Sequence, residues 1–89
     1  MKFDPGRIVA TPGVLDAMAS SGDDPLDFLF RHLAGDWGEL SPEDTAENEL
    51  SLREGFRLLS AYSLRDGTRI WVITESDRSA TTILLPDEY

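Results

Sequence analysis

The first place to look for chemistry in this 89-residue chain is its one histidine, His32. It stands in Arg31-His32-Leu33-Ala34-Gly35-Asp36-Trp37-Gly38. An imidazole titrates near neutrality, so it can take up and return a proton as a general base. Asp36, four residues on, is at a spacing from which a carboxylate could orient it. Further along, Arg57, Ser60, Tyr62, Thr74, Asp77, Arg78, Thr81 and Thr82 bring hydroxyls and guanidinium groups onto or between strand-like segments. Together with His32 they could line a polar cleft. Each also has an ordinary explanation. A histidine at a helix end answers orphan carbonyls and the helix dipole. Strand threonines follow β-propensity, and an Asp-Arg pair in a turn is usually a solvated ion pair.

Other chemistries are excluded or unsupported. With no cysteine there is no thiolate nucleophile, thiolate metal site or disulfide. One histidine without companion ligands at metal spacing predicts no metal site. The seven glycines are scattered, with neither GxGxxG nor GxxxxGK[ST], so no phosphate loop and no cofactor is expected. Ser60 and Ser63 lack the flanking glycines of a nucleophile elbow.

The elements that must position these residues are sharply punctuated. Thr11-Pro12, Asp24-Pro25 and Ser41-Pro42 each place a capping oxygen before a proline at the first helical position. Gly22, Gly35 and Gly55 stand where the helices should stop. The spacing predicts helices over Pro12–Ser20 (Val14, Leu15 and Met18 inward), Pro25–Ala34 (Leu26, Leu29, Phe30 and Leu33 inward) and Pro42–Glu54 (a thin stripe of Ala46, Leu50 and Leu52). From Phe56 onward, three apolar runs are broken by Asp66-Gly67 and by Glu75-Ser76-Asp77-Arg78, the pattern of a three-stranded antiparallel meander. Arg7–Ala10 is a candidate for one extra N-terminal strand. The expectation is a single α+β domain over 1–89, with three short helices on one face of the C-terminal meander. A two-residue turn at Asp66-Gly67 would set Tyr62 opposite Trp71 and Ser60 opposite Ile73. Both sheet faces would then be largely apolar. Tyr62 and Trp71 are read as core aromatics or, on the face the helices leave bare, as a binding or homodimer surface through Trp71 or the 80–85 strand.

Charge is the other strong signal. The net charge is −9, a field that repels nucleic acid, so no direct nucleic-acid binding is expected. Acids outnumber bases five to three in residues 1–35, seven to one in 36–54 and five to four in 55–89. Glu39, Glu43, Asp44, Glu47, Glu49 and Glu54 therefore concentrate the excess around one helix. That helix is either a solvated face or a surface aimed at a basic partner. No apolar run approaches a membrane span, and the N-terminus lacks a signal-peptide core, so a soluble cytoplasmic protein is expected.

The segments KFDPGRIVATPGVLDAM, RHLAGDWGEL, ENELSLREGFRLLSAY and IWVITESDRSATTILLPDEY resemble a family of short bacterial proteins carried on plasmids and other mobile elements. Its members are commonly labelled plasmid-related, hypothetical, or type I restriction endonuclease subunit M. The chain has no methyl-donor glycine loop and no methyltransferase tetrapeptide. The resemblance covers nearly the whole chain and implies a mobile-element setting, in which small proteins manage host defence, plasmid maintenance or toxicity. A second resemblance, of arrangement alone, is to small ribonuclease toxins of the barnase and RelE type. It would assign catalytic roles to His32, Arg57, Tyr62, Thr74 and Arg78. Two function classes follow. One is an acidic interaction protein that uses Glu39, Glu43, Asp44, Glu47, Glu54 and Trp71 against a partner's basic surface. The other is a ribonuclease-like or nucleotide-handling enzyme built on His32.

Overall fold

In the computed structural model, which describes residues 1–89, each of the three proline-led starts opens a helix. These are α1 (Pro12–Ser21), α2 (Pro25–Leu33) and α3 (Pro42–Glu54). The side chains of Thr11, Asp24 and Ser41 accept from the backbone N–H of Val14, Leu26 and Asp44 at 3.2, 3.0 and 3.1 Å. Such caps contribute about 1 kcal/mol each. α1 and α3 end on left-handed glycines, Gly22 and Gly55. α2 ends one residue before Gly35, on a right-handed Ala34.

The sheet is larger than the meander expected. β2 (Leu58–Ser63), β3 (Arg69–Thr74) and β4 (Ala80–Leu84) run antiparallel as read from the sequence. β1 (Arg7–Ala10) joins β4 in parallel, giving a four-stranded mixed sheet in the order β1-β4-β3-β2. β4 is therefore an interior strand, and its edge is closed to any partner. A parallel pairing needs a long crossover, here α1 through β3, and no local turn signal announces it.

The hairpin register also differs by one residue. Tyr62 faces Ile70, Ala61 faces Trp71 and Ser60 faces Val72. The loop is of three residues, Arg65-Asp66-Gly67: Gly67 N–H donates to Leu64 C=O at 2.9 Å, and Leu64 N–H to Thr68 C=O at 2.8 Å. Gly67, at φ 90°, supplies the left-handed residue that such a loop requires. The slip changes which residues share a face. Leu58, Ser60, Tyr62 and Leu64 join Ile70, Val72, Thr74, Thr81 and Ile83 beneath the helices, all nearly inaccessible to solvent.

Only α1 and α2 cover that face. Val14, Met18, Phe28, Leu29 and Leu33 pack with Tyr62, Leu64, Ile70, Val72 and Ile83 in one core. Leu15, Leu26 and Phe30, expected inward, are exposed, while Phe28 and His32 take their place. α3 lies instead along the outer edge of β2. Its buried residues are Asn48 and Ser51, and the predicted apolar stripe residues Ala46 and Leu50 face outward. Asn48 Oδ1 accepts from Leu59 N–H at 3.1 Å, and its Nδ2 donates to Leu59 C=O. Next to this clamp, Ala61 N–H donates to Trp37 C=O at 3.1 Å and Glu39 N–H to Ala61 C=O at 2.7 Å. Gly38, at φ 77°, makes this approach possible, since a Cβ there would overlap Ala61 C=O. The β2 edge is thus closed by side chain and loop. Large apolar side chains contribute about 1.5–3 kcal/mol each on burial, and hydrogen bonds about 0.5–1.5 kcal/mol net. α1 and α2 are held mainly by the former, α3 mainly by the latter, so α3 is the more weakly anchored.

The opposite face is covered in part by the chain itself. A short 3-10 turn, Pro86–Glu88, returns over β3, and the Tyr89 ring meets half-buried Trp71 edge-on at 5.8 Å. The Arg57 guanidinium sits 5.4 Å from the Tyr89 ring and donates to its hydroxyl.

Candidate functional site

His32 points from α2 into the sheet and is wholly buried. Its Nδ1 lies 2.6 Å from Ser60 Oγ and its Nε2 2.9 Å from Thr74 Oγ1. Thr74 Oγ1 is 2.7 Å from Thr81 Oγ1, and Thr81 donates to Pro5 C=O at 2.7 Å. A carbonyl only accepts, so the Thr81 proton is spent on Pro5. Thr74 must then donate to Thr81, which leaves its oxygen to accept from His32 Nε2–H. Nδ1 is the remaining acceptor, and Ser60 donates to it. One neutral tautomer satisfies every member of this chain, and no buried side-chain polar atom is left without a partner.

The surroundings favour that neutral state. The Phe3 and Trp37 rings stand edge-on to the imidazole at 5.2 and 5.7 Å. Burial, and secondly the nearby positive charge of Arg78, push the His32 pKa down to about 4. Asp36 does not orient the histidine. It pairs with Arg31 at 2.7 Å and accepts from Gly38 N–H at 3.1 Å, contacts that hold its pKa below the usual carboxylate range. Its main-chain oxygen accepts from the Tyr62 hydroxyl at 2.6 Å, and burial pushes that hydroxyl up to about 12.

Arg78 is one of the few departures from ordinary backbone geometry, the only non-glycine residue at positive φ (61°). Its guanidinium gathers main-chain oxygens from three places. It donates to Phe56 C=O at 2.7 Å, Glu75 C=O at 3.1 Å and Ser51 C=O at 3.3 Å. This ties the end of α3 to the β3–β4 turn. Of the five residues proposed for catalysis, His32 and Thr74 are in direct contact and Arg78 lies close enough for its charge to act on the imidazole, whereas Tyr62 is engaged by Asp36 C=O, Arg31 and Phe28, and Arg57 lies on the opposite face with Tyr89. Both imidazole nitrogens are committed within the chain, and the guanidinium of half-buried Arg78 is engaged by carbonyls. A general base must reach a proton on its substrate; here both imidazole nitrogens are bonded to Ser60 and Thr74, contacts that tie α2 to the sheet.

The acidic residues divide differently. Glu39 is engaged within the chain: it accepts from Ser63 Oγ at 2.7 Å and lies 3.6 Å from Arg69. Glu49 accepts from Trp37 Nε1 at 3.0 Å. Glu43, Asp44, Glu47 and Glu54 are exposed and make no ion pair. Glu43, Glu47 and Glu54 recur at helical spacing with exposed Leu50 among them, along one flank of α3 beside the face that holds Asn48 and Ser51. Trp71, placed among the partner contacts, is half-buried beneath Tyr89. Asn48, which fixes this helix, was missed from the sequence. Its one signal was an asparagine in mid-helix, a position where that side chain usually has other business.

No helix is long and apolar enough to cross a membrane. The chain matches no protein-family model, no curated protein and no solved structure.

Proposed function

We propose that the chain is a small acidic interaction protein that occupies a basic, nucleic-acid-binding surface of a host defence protein, as an anti-restriction or anti-CRISPR-like inhibitor. The observation that carries this reading is the concentration of exposed carboxylates without ion pairs, Glu43, Asp44, Glu47 and Glu54, on α3. Glu43 and Asp44 also suit the helix N-terminus. Glu47 and Glu54 do not, and Glu47 lies three and four residues from Asp44 and Glu43, where like charges cost a few tenths of a kcal/mol each. Carboxylates repeated along a rod offer a polyanion to a basic groove, and opposed fields speed encounter. The mobile-element resemblance is the ground for placing the partner in host defence. The ribonuclease-like alternative draws no comparable support, because its histidine is enclosed.

Affinity capture from the host with the wild type and with the Glu47→Lys, Glu54→Lys variant, followed by mass spectrometry, tests this reading. The expected result is a nucleic-acid-binding protein retained by the wild type and lost with the charge reversal or with added salt. Equal capture by both proteins, or a partner with an acidic contact surface, would overturn it.

A further inference from the structure

The two edges of the sheet are treated differently. The β2 edge is closed by Asn48, Trp37 and Glu39. The β1 edge is open. Arg7 N–H donates to Ser79 C=O at 3.0 Å and Thr11 N–H to Ile83 C=O at 3.1 Å, so the odd-numbered residues of β1 turn their main-chain groups toward β4. Ile8 and Ala10 must then turn theirs outward, and neither forms a hydrogen bond there. Ile8 and Val9 are 44 % and 38 % exposed, the largest apolar side chains at this rim.

We propose that this edge is the dimer interface, occupied by β1 of a second copy running antiparallel about a two-fold axis at Val9. Backbone chemistry fixes the register. Outward-facing residues must meet outward-facing residues, so Ile8 pairs with the partner's Ala10 and Ala10 with the partner's Ile8, each pair exchanging two main-chain hydrogen bonds. Val9 then faces the partner's Val9. The contact is self-complementary, as a two-fold interface requires, and joins two four-stranded sheets into one continuous sheet.

Charge favours a second copy over a foreign strand. Arg7 makes no ion pair within its own chain. At the other end of β1, Thr11 Oγ1 donates to Glu88 Oε1 at 2.6 Å, which fixes an exposed carboxylate beside the strand. In the two-fold register Arg7 lies opposite the partner's Thr11, and hence beside the partner's Glu88. Symmetry makes this contact twice. In a chain of net charge −9, two copies otherwise repel each other, and these paired contacts lie where the surfaces meet.

The absence of cysteine allows a direct test. Val9 and the partner's Val9 form a non-hydrogen-bonded pair, with Cα atoms about 4.5 Å apart, within disulfide range. Val9→Cys should therefore give a covalent dimer under mild oxidation, whereas Leu15→Cys, exposed on α1, should give little. By sedimentation the wild type should associate reversibly at concentrations up to about 1 mM. Arg7→Glu should weaken association about tenfold or more, and Arg7→Glu with Glu88→Arg should restore it. A wild type that stays monomeric throughout would overturn the proposal and leave the edge to a foreign extended segment. So would a dimer that is indifferent to Arg7→Glu and in which Val9→Cys crosslinks no better than Leu15→Cys.

Discussion

Acid should unfold this protein earlier than its carboxylates alone would allow, because His32 must stay neutral to keep its bonds. The folded pKa is about 4 against an ordinary value of 6.5. Between these values the unfolded chain binds a proton that the folded chain refuses, so stability falls as pH falls through that window. Each unit is worth about 1.4 kcal/mol, so the loss between pH 7 and pH 4 comes to about 3 kcal/mol. That is a large share of the roughly 5–15 kcal/mol that holds a typical domain. Asp23, Asp36, Asp66, Asp77 and Glu88 have pKa values lowered from 3.8 or 4.5, so their own contributions disappear mostly below the histidine window. Urea unfolding followed by circular dichroism at steps from pH 7.5 to 4.5 should show the wild-type midpoint falling steadily. His32→Gln keeps a donor and an acceptor toward Thr74 and Ser60. It should be less stable at neutral pH but nearly flat over the same range. Parallel pH curves for the two proteins, or a folded-state imidazole titration near 6.5 by NMR, would refute the reasoning.

Asn48→Ala should cost about 1–3 kcal/mol, because it leaves both main-chain groups of Leu59 unpaired at a partly buried edge; hydrogen exchange should accelerate first across α3 and at the Leu59 amide. Glu47→Lys with Glu54→Lys should change stability by less than about 0.5 kcal/mol in thermal melts, while partner binding weakens and wild-type binding falls with salt. A clean wild-type preparation should not hydrolyse RNA, and turnover that disappears in His32→Ala would instead establish the enzyme reading.

Helix ends were legible because their signals are local: Thr11-Pro12, Asp24-Pro25 and Ser41-Pro42 act on the next turn of chain and depend on nothing distant. The hairpin was legible as a hairpin but not in register, since Asp66-Gly67 serves both a two-residue loop and the three-residue loop observed. The α2 face was ambiguous for a related reason. Leu26, Phe28, Leu29, Phe30 and Leu33 support two overlapping stripes, and the choice is made by His32, whose partners Ser60 and Thr74 lie 28 and 42 residues away. Turning the histidine inward carries Phe28 in and Phe30 out. α3 misled for the opposite reason, because a helix attached by hydrogen bonds leaves no apolar periodicity to read. The acidic character of the candidate face was plain in composition, but the engagement of Glu39 and Glu49 by Ser63, Arg69 and Trp37 depends on contacts between segments.

The parallel pairing of β1 with β4 has a consequence for how the chain comes off the ribosome. Arg7 is matched to Ala80, and Ile8 to Thr81. The seat of the first strand is thus made about 70 residues after the strand itself. At about 5–20 residues per second, β1 waits roughly 4–15 s for its neighbour to be translated, and longer still while β4 clears the exit tunnel. During that interval Thr74 and Thr81 cannot complete the hydrogen-bonded chain to Pro5, and His32 has no finished pocket. The helices can form as they emerge, since their bonds are local, but the sheet can close only after synthesis has passed residue 84. A nascent chain arrested before that point should remain protease-sensitive along its whole N-terminal segment, and β1, unpaired on both sides, is then the stretch most in need of shelter.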